Sequence, residues 1–424
     1  KGEIEEMIQF AQEHLADKCY FNEAGFRLMM KRHKGRLPVS IQAVKEGSRI
    51  PVGHVMMQII NTDEDFAWIV NYLETLLTHV WYPCAVATKS SMLVDAIIEA
   101  VNASSDLPQE VKDFTLRLML HCFGYRGATG EESAGVGELG HLSNSMGTDT
   151  IAGIFAMIDY YGADKFGKMV GLSVIASEHS IETAEFGQYG ADEGDRRYLA
   201  RMLRIYTKGV RSFVADGNSI EKFVAMVCEP ENVKLIKEQA KQDNGMLNRV
   251  VLRPDSPRFK GDTPIDQILW IADQLWDAYG GEINSKGLRV LDSSVGVIYG
   301  DGLSEDEIYT IYTELQKRYD VTSFVVGQGG GLLQKVNRDT QRSAFKCSAQ
   351  CRDGVWHDVY KAPQDVTKAS KRGRLALIID EDGEYQTILE KDLNGRENLL
   401  IEVFRDGKLL VEWDIDDLRS DWNE

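Results

Sequence analysis

Apolar positions along the chain follow three successive rhythms. Ile4, Met7, Ile8, Ala11 and Leu15 recur at helical spacing, which predicts a helix to about Ala16, and a second helix is expected over Glu23 to Arg32. LPVSIQAVKEG and IPVGHVMMQIINTD alternate apolar and polar residues and read as two strands joined through a turn. Asn61 to Asp63 offers an N-cap before an amphipathic helix over Phe66 to His79, which WYP at Trp81 to Pro83 stops; a further helix runs from Ser90 to about Ala103.

From about Leu116 to Asn337 short apolar runs alternate with helical stretches, the pattern of βα units. The runs end in LMLHCFGYRG, GTDT, LSVIASEHS, VRSFVADG, NRVVLRPDS, VGVIYGDG and TSFVVGQGGG. Charged residues or glycines at the carboxyl ends of successive parallel strands are where α/β barrels and doubly wound sheets build their sites. The central run is Gly171 to Ser180. Its apolar Leu172, Val174, Ile175 and Ala176 read as a buried strand that delivers Glu178 and His179 to the rim. A histidine there can serve as base, acid, nucleophile or ligand, or can merely satisfy a neighbouring carbonyl.

Beyond about Thr340 the chain turns β-rich, with EDGE and RDGK as hairpin turns, because Asp-Gly tolerates the positive φ that short turns need. The expected organisation is α/β: an N-terminal mixed α+β domain over 1–115, an α/β barrel over 116–340, and a C-terminal β-rich segment over 341–424 packing on the barrel or the first domain. A length of 424 residues exceeds one ordinary core, which fits that division.

The net charge of −18 argues against nucleic acid or an anionic membrane surface as the main partner. No apolar run reaches the roughly 18 residues of a membrane span. Six cysteines in so long a chain make no disulfide framework, and Cys347 and Cys351 lack a second Cys/His pair for zinc, so a reducing, cytoplasmic setting is expected. The chain begins at once inside a helical pattern, as a fragment lacking something upstream would.

Arg126, Arg253 and Arg338 stand near strand ends or helix starts, where planar guanidinium groups suit phosphate oxygens; the alternative is an ion pair with one of many carboxylates. GQGGGLLQK, Gly327 to Lys335, is neither a Walker A loop nor GxGxxG, yet a glycine-rich turn after a strand presents N–H groups to a phosphate. With GDG at Gly300 to Gly302 it makes two adjacent phosphate loops late in a barrel. Asp149, Asp216, Asp255 and Asp301 follow apolar runs or turns; they can cap helices, hold Mg²⁺ with a polyphosphate, or bind a substrate hydroxyl or amide. Phe123 and Tyr125 can stack a flat ring or fill the core. KASKRGR, Lys368 to Arg374, is a basic cluster in an acidic chain, and its plain reading is a solvated loop.

FGYRG, GTDT, SEHS, RPDS, GDG and GGGLLQK, in this order, together with the upstream IPVGHV, NTD and WYPCAVAT, resemble the nicotinamide phosphoribosyltransferase family from about residue 5 to the end. The resemblance implies the type II phosphoribosyltransferase fold, an irregular α/β barrel flanked by a mixed α+β domain, working as a homodimer. It implies transfer of the phosphoribosyl group from phosphoribosyl pyrophosphate to nicotinamide, with Mg²⁺, and with ATP as co-substrate through a phosphohistidine. His179 would be that histidine, oriented by Asp216. Phe123 would stack on nicotinamide, Asp149 would accept its carboxamide N–H, and Arg126 and Ser212 would lie beside the ring. Arg253 would meet ribose and phosphates, Asp255 the ribose or metal-bound pyrophosphate, and Gly300, Asp301, Gly329, Gly330 and Arg338 the 5′-phosphate. Asp255 and Asp301 are the candidates near Mg²⁺, and Lys346, Lys361 and Lys368 match lysines that meet pyrophosphate or ATP phosphates.

The family's N-terminal DSYK motif, whose tyrosine reaches across the dimer to the nicotinamide, is absent from these residues. Competing expectations are a nicotinate or other pyridine phosphoribosyltransferase, against which a carboxylate at Asp149 discriminates, and a non-catalytic nucleotide-binding protein on the same fold.

Overall fold

Runs of Val, Ile, Leu and Phe a few residues long, separated by helices, pair side by side only in parallel, because each crossover helix returns the chain to the same starting edge. A computed structural model describes residues 2–14, 21–242, 247–300, 302–361 and 370–420. Its main sheet has seven strands: β1 Leu120–Cys122, β2 Gly147–Thr148, β3 Ile175–Ala176, β4 Val210–Val214, β5 Arg249–Arg253, β6 Val295–Tyr299 and β7 Phe324–Gln328. All neighbours are parallel, in the order β2-β1-β7-β6-β5-β4-β3. All seven apolar runs of the barrel region form these strands.

The two edges of the sheet meet through one irregular segment. Leu172 bridges to Gly147 and exchanges backbone hydrogen bonds with β2, its N–H donating to Met146 O at 2.7 Å while its carbonyl accepts from Thr148 N at 3.1 Å. Three residues later Ile175 and Ala176 pair with Arg211 and Ser212 of β4. The expected buried strand at this point is therefore only two residues long, and Ile175 is exposed. The segment has to serve two neighbours in turn, so it cannot run straight along either.

Around the sheet, Phe213, Val250, Leu252, Val297 and Phe324 pack with Leu199, Phe223, Ile271, Leu275 and Tyr312 from the helices into one continuous core. Each such side chain contributes about 1.5–3 kcal/mol relative to exposure. At the amino end of β4, Arg211 is fully buried and donates to Gln239 Oε1 at 2.5 Å, Asn248 Oδ1 at 3.0 Å and Tyr206 O at 2.8 Å. With neutral partners only, its guanidinium is pushed down to about 10 by burial.

The chain divides into two compact units, residues 82–337 and residues 1–81 with 338–424. The boundary near 115 expected from sequence shifts because one helix, Trp81–Ser104, begins where WYP was read as a stop. Pro83 lies in its first turn, where no intrahelical partner exists for the missing N–H. Leu93, Val94 and Ile97 of this helix belong to the core of the barrel unit. In the other unit, Val39–Ala43 pairs antiparallel with Met57–Asn61 on one side and with Ile401–Arg405 on the other, so both ends of the chain build one sheet. RDGK makes its expected turn between Ile401–Arg405 and Lys408–Leu409, with Asp406 and Gly407 both at positive φ. The amphipathic helix expected from Phe66 starts at Ile69, after a short 3₁₀ turn over Glu64–Phe66 capped by Asp63.

Glu138, on the helix Glu131–Leu142, is wholly enclosed. One oxygen accepts from Thr148 Oγ1 at 2.5 Å, the other has no hydrogen-bond partner, and burial pushes the carboxyl up to about 8. A folded-state value above the ordinary 4.5 means that the native protein keeps a proton the unfolded chain releases. That contribution to stability is complete below the ordinary value and is lost as pH rises through the folded one. Relative to Glu138→Gln, the wild type is expected to lose up to about 1.4 kcal/mol of unfolding free energy per pH unit across that window. Denaturant titrations at both ends of the window measure it, and parallel pH dependences would contradict a neutral Glu138.

Candidate active site

Because the strands are parallel, their carboxyl ends lie on one rim, and the loops there carry most of the residues singled out in sequence. Phe123 follows β1, and its N–H donates to Gln328 O of β7 at 2.8 Å. A Cβ on Gly300 or on Gly327 would stand 2.4 or 2.0 Å from its ring, so both positions must be glycine for the half-buried ring to sit against β6 and β7. Arg126, in the turn just beyond, is largely exposed, with Nη2 3.5 Å from Glu178 Oε1. Asp149 follows β2; its N–H donates to Cys122 O at 3.0 Å, which sets it beside Phe123. Its exposed carboxylate accepts a hydrogen bond from Ser173 Oγ.

β3 leads through Ser177 and Glu178 into the short helix His179–Glu182. His179 Nε2 lies 3.0 Å from Asp216 Oδ1, in the loop after β4. The imidazole side chain is 44% exposed and the carboxylate 4%, so a buried anion orients a ring that solvent reaches. With Nε2 donating to Asp216, Nδ1 is the nitrogen left with a free lone pair. Arg253, at the end of β5, is buried; Nη2 donates to Ser177 O at 2.6 Å and Nε stands 3.7 Å from Asp255 Oδ2. It therefore ties the β3 turn to β5. Ser212 is buried on β4 with its hydroxyl unpartnered.

Gly300 closes β6, and Asp301 lies outside the described residues. β7 runs through Gly329 into the turn of helix Gly330–Leu333, where a Cβ on Gly330 would meet nothing within 4 Å. The rim thus gathers Phe123, Arg126, Asp149, His179, Asp216, Arg253, Asp255, Gly300, Gly329 and Gly330. Arg338, Lys346 and Lys361 belong to the other unit. There Arg338 donates to Ser343 O at 3.0 Å and pairs with Asp339 at 2.9 Å, Lys346 stands 4.0 Å from Glu74, and Lys361 is exposed. Lys368 lies outside the described residues.

Three further residues support the rim and were not singled out from sequence. Lys89 is buried; its Nζ donates to Gly331 O at 2.9 Å and pairs with Glu305 Oε1 at 2.6 Å, holding the glycine loop from beneath. It sits on the apolar stripe of its helix, between Val86 and Leu93, and a lysine on such a stripe is the signal that marks it. Glu138 sits likewise between Ala134 and Leu142. Glu182 lies in a four-residue helix, too short to show any period, and burial pushes its carboxyl up to about 7. Among the described residues, His179, Glu182 and Asp216 are the one group of three side chains close enough to share a metal ion. Cys347 and Cys351 are exposed free thiols, and no described helix is long and apolar enough to cross a membrane.

Known proteins share this architecture. The chain is 36% identical over 407 residues to a nicotinamide phosphoribosyltransferase of Xanthomonas campestris pv. campestris (strain 8004), covering 94% of this chain and 82% of that protein. It is 29% identical over 406 residues to one of Acinetobacter baylyi (strain ATCC 33305 / BD413 / ADP1), covering 91% and 76%. The crystal structure of human nicotinic acid phosphoribosyltransferase covers 98% of this chain over 81% of its own length, with a TM-score of 0.52 at 15% identity, and so shares its fold. Residues 118–408 match the nicotinate phosphoribosyltransferase (NAPRTase) family, and the chain belongs to that family.

Proposed function

We propose that this phosphoribosyltransferase joins nicotinamide to phosphoribosyl pyrophosphate, giving nicotinamide mononucleotide and pyrophosphate in NAD salvage, with ATP hydrolysis coupled through a phosphohistidine at His179. The observation that carries the choice of base is Asp149. Its backbone is bonded to Cys122, the residue before Phe123, and its exposed carboxylate would meet the exocyclic group of a pyridine ring stacked on Phe123. An anion there accepts a carboxamide N–H and repels the carboxylate of nicotinate. The relatives named nicotinamide phosphoribosyltransferase support the same choice.

Breaking the ribose C1–pyrophosphate bond builds positive charge on the sugar, so the protein's work is to hold the ring nitrogen in line and to stabilise the leaving pyrophosphate. Phe123 and Asp149 orient the base. Arg253, already fixed by Ser177 O, offers its remaining donors to phosphate oxygens, and the turn at Gly330 after β7, where a Cβ would meet nothing within 4 Å, offers room for the 5′-phosphate. Asp255 is a hard oxygen donor at the end of β5 and fits Mg²⁺ held together with the donor's phosphates; bound there, Mg²⁺ would neutralise charge on the pyrophosphate. Arg338, Lys346, Lys361 and Lys368 enter this reading as phosphate ligands on the family resemblance alone.

For the ATP step, Nδ1 of His179 attacks the γ-phosphorus, the bond to the bridging oxygen breaks and ADP leaves, while Nε2 keeps its proton and its hydrogen bond to Asp216 Oδ1. A homodimer belongs to the same proposal. Ile151 and Phe155 leave an apolar strip exposed on the helix Ile151–Tyr161, next to Asp149, and the mass of the protein in solution checks it.

Three substitutions test the reading. Asp149→Ser is expected to lower the preference for nicotinamide over nicotinate, as a ratio of kcat/KM, by about tenfold or more; unchanged discrimination would refute the role. His179→Ala is expected to abolish ATP hydrolysis while synthesis without ATP persists, and an undiminished ATPase would contradict it. Lys89→Met removes a charge-assisted hydrogen bond to the glycine loop, so KM for the phosphoribosyl donor is expected to rise about tenfold with kcat nearly unchanged. A fall in kcat alone would place Lys89 elsewhere in the cycle.

A further inference from the structure

Behind His179 and Asp216 lies a third side chain that the chemistry above leaves unused. Glu182, one helical turn beyond His179, is completely buried, and neither carboxyl oxygen has a hydrogen-bond partner. Asp216 is in the same position on its far side: Oδ1 takes the His179 ring, while Oδ2 is buried and unpartnered. A ring nitrogen of His179 and one carboxyl oxygen from each of Glu182 and Asp216 lie within 4.8 Å of one another. The backbone is shaped for this approach. A Cβ on residue 217 would stand 2.3 Å from Glu182 Oε2, and the residue there is glycine. The Gly217 amide is the nearby donor, but it makes no well-formed hydrogen bond to the carboxyl.

Among the described residues no other hydrogen-bond donor meets this carboxyl. From the helix Ala191–Ile205, Glu182 faces Asp195, another buried carboxyl with one oxygen unpartnered and the other accepting from Asn218 at 3.3 Å. It also faces Tyr198, whose hydroxyl is engaged with Ser177 Oγ at 2.6 Å and Val214 O at 3.3 Å. From the loop after β4 it faces Asp216 and Gly217, and His179 faces it from its own helix; Arg201 of the helix Ala191–Ile205 reaches the neighbouring Ile181 O at 2.9 Å, with its other arm on Glu185 Oε1 at 2.9 Å. Two full negative charges enclosed at this distance repel strongly, and the buried acceptors stay unsatisfied. One proton between them removes a charge and supplies the missing donor.

We propose that Glu182 is a positioning residue, held as the neutral acid and donating its O–H to Asp216 Oδ2, so that Glu182, Asp216 and His179 form one hydrogen-bonded chain that keeps Nδ1 of His179 free for the phosphoryl group. Burial, with Asp195 and Asp216 adding to it, pushes the Glu182 carboxyl up to about 7, in agreement with that state. The use of the chain rests on His179 accepting a phosphoryl group; the proton itself does not. As pH rises through the Glu182 value the donor is lost and Asp216 is no longer held. Gln at this position donates at every pH, whereas Ala donates at none.

The test pairs infrared difference spectra with pH profiles on the full chain. Wild type minus Glu182→Gln at slightly acid pH is expected to show the carbonyl stretch of a protonated carboxyl, bleaching as pH rises through neutrality. ATP-coupled synthesis is expected to fall over the same range in wild type and to stay level in Glu182→Gln. Glu182→Ala is expected to lose about tenfold at all pH values, as for loss of a hydrogen bond to a charged group, and synthesis without ATP is expected to be equal in all three. Absence of the carbonyl band overturns the proposal, whatever the ATPase does. A stoichiometric divalent ion bound to wild type and lost from Glu182→Ala also overturns it, because the ion would then be the partner. The band without any ATP hydrolysis in wild type supports the proton chain and refutes the reading of His179 as phosphorylated.

Discussion

The parallel pairing of seven short strands governs everything else in the barrel unit. Parallel strands satisfy their backbone groups only through neighbours on both sides, and they leave all carboxyl ends on one rim. Closing the ring places a demand on one segment, which pairs with β2 at Leu172 and with β4 at Ile175 and Ala176. That segment runs directly into His179. Barrel closure and the placement of the histidine are therefore one structural event, and the turn between them is held by Arg253 through the Ser177 carbonyl.

Buried charge is used unevenly around this rim. The enclosed cations act on backbone: Arg253 on Ser177 O and Lys89 on Gly331 O. Each brings a guanidinium or ammonium into the protein to fix a loop that carries few side chains of its own. The enclosed acids do the opposite and are held toward their neutral forms. Glu138 and Glu182 both have carboxyls raised by burial, one under the strand that bears Asp149 and the other behind the pair His179–Asp216. In a chain with a net charge of −18, burial thus favours the protonated form at these two enclosed carboxyls, while Asp149 is reached by solvent. Such arrangements weaken the fold locally and are tolerated where they shape a site.

The period of apolar residues and the residue types at run ends were enough to locate all seven barrel strands and most of the rim, from Phe123 and Asp149 to Arg253 and Gly329. Those signals are local, since a strand must alternate or be buried along its own length and a site residue must follow it closely. The misreadings were local as well. The helix expected to stop before WYP does end at Thr78, but the next one was expected from Ser90, although it begins at Trp81 with Pro83 in its first turn. The run from Leu172 to Ala176 was taken as an ordinary buried strand.

What required tertiary structure was every relation between segments. That both ends of the chain share one sheet follows from pairing between Val39–Ala43 and Ile401–Arg405, far apart in sequence. That Lys89 meets Gly331, and that Glu182 reaches Asp216, depends on which faces of two elements turn toward each other. The composition and order of residues determined the strands, the loops and the kind of chemistry they can carry, because those depend on neighbours along the chain. The protonation of Glu182 and the orientation of His179 were decided only on folding, because burial and the proximity of charges exist only once the chain has closed around them.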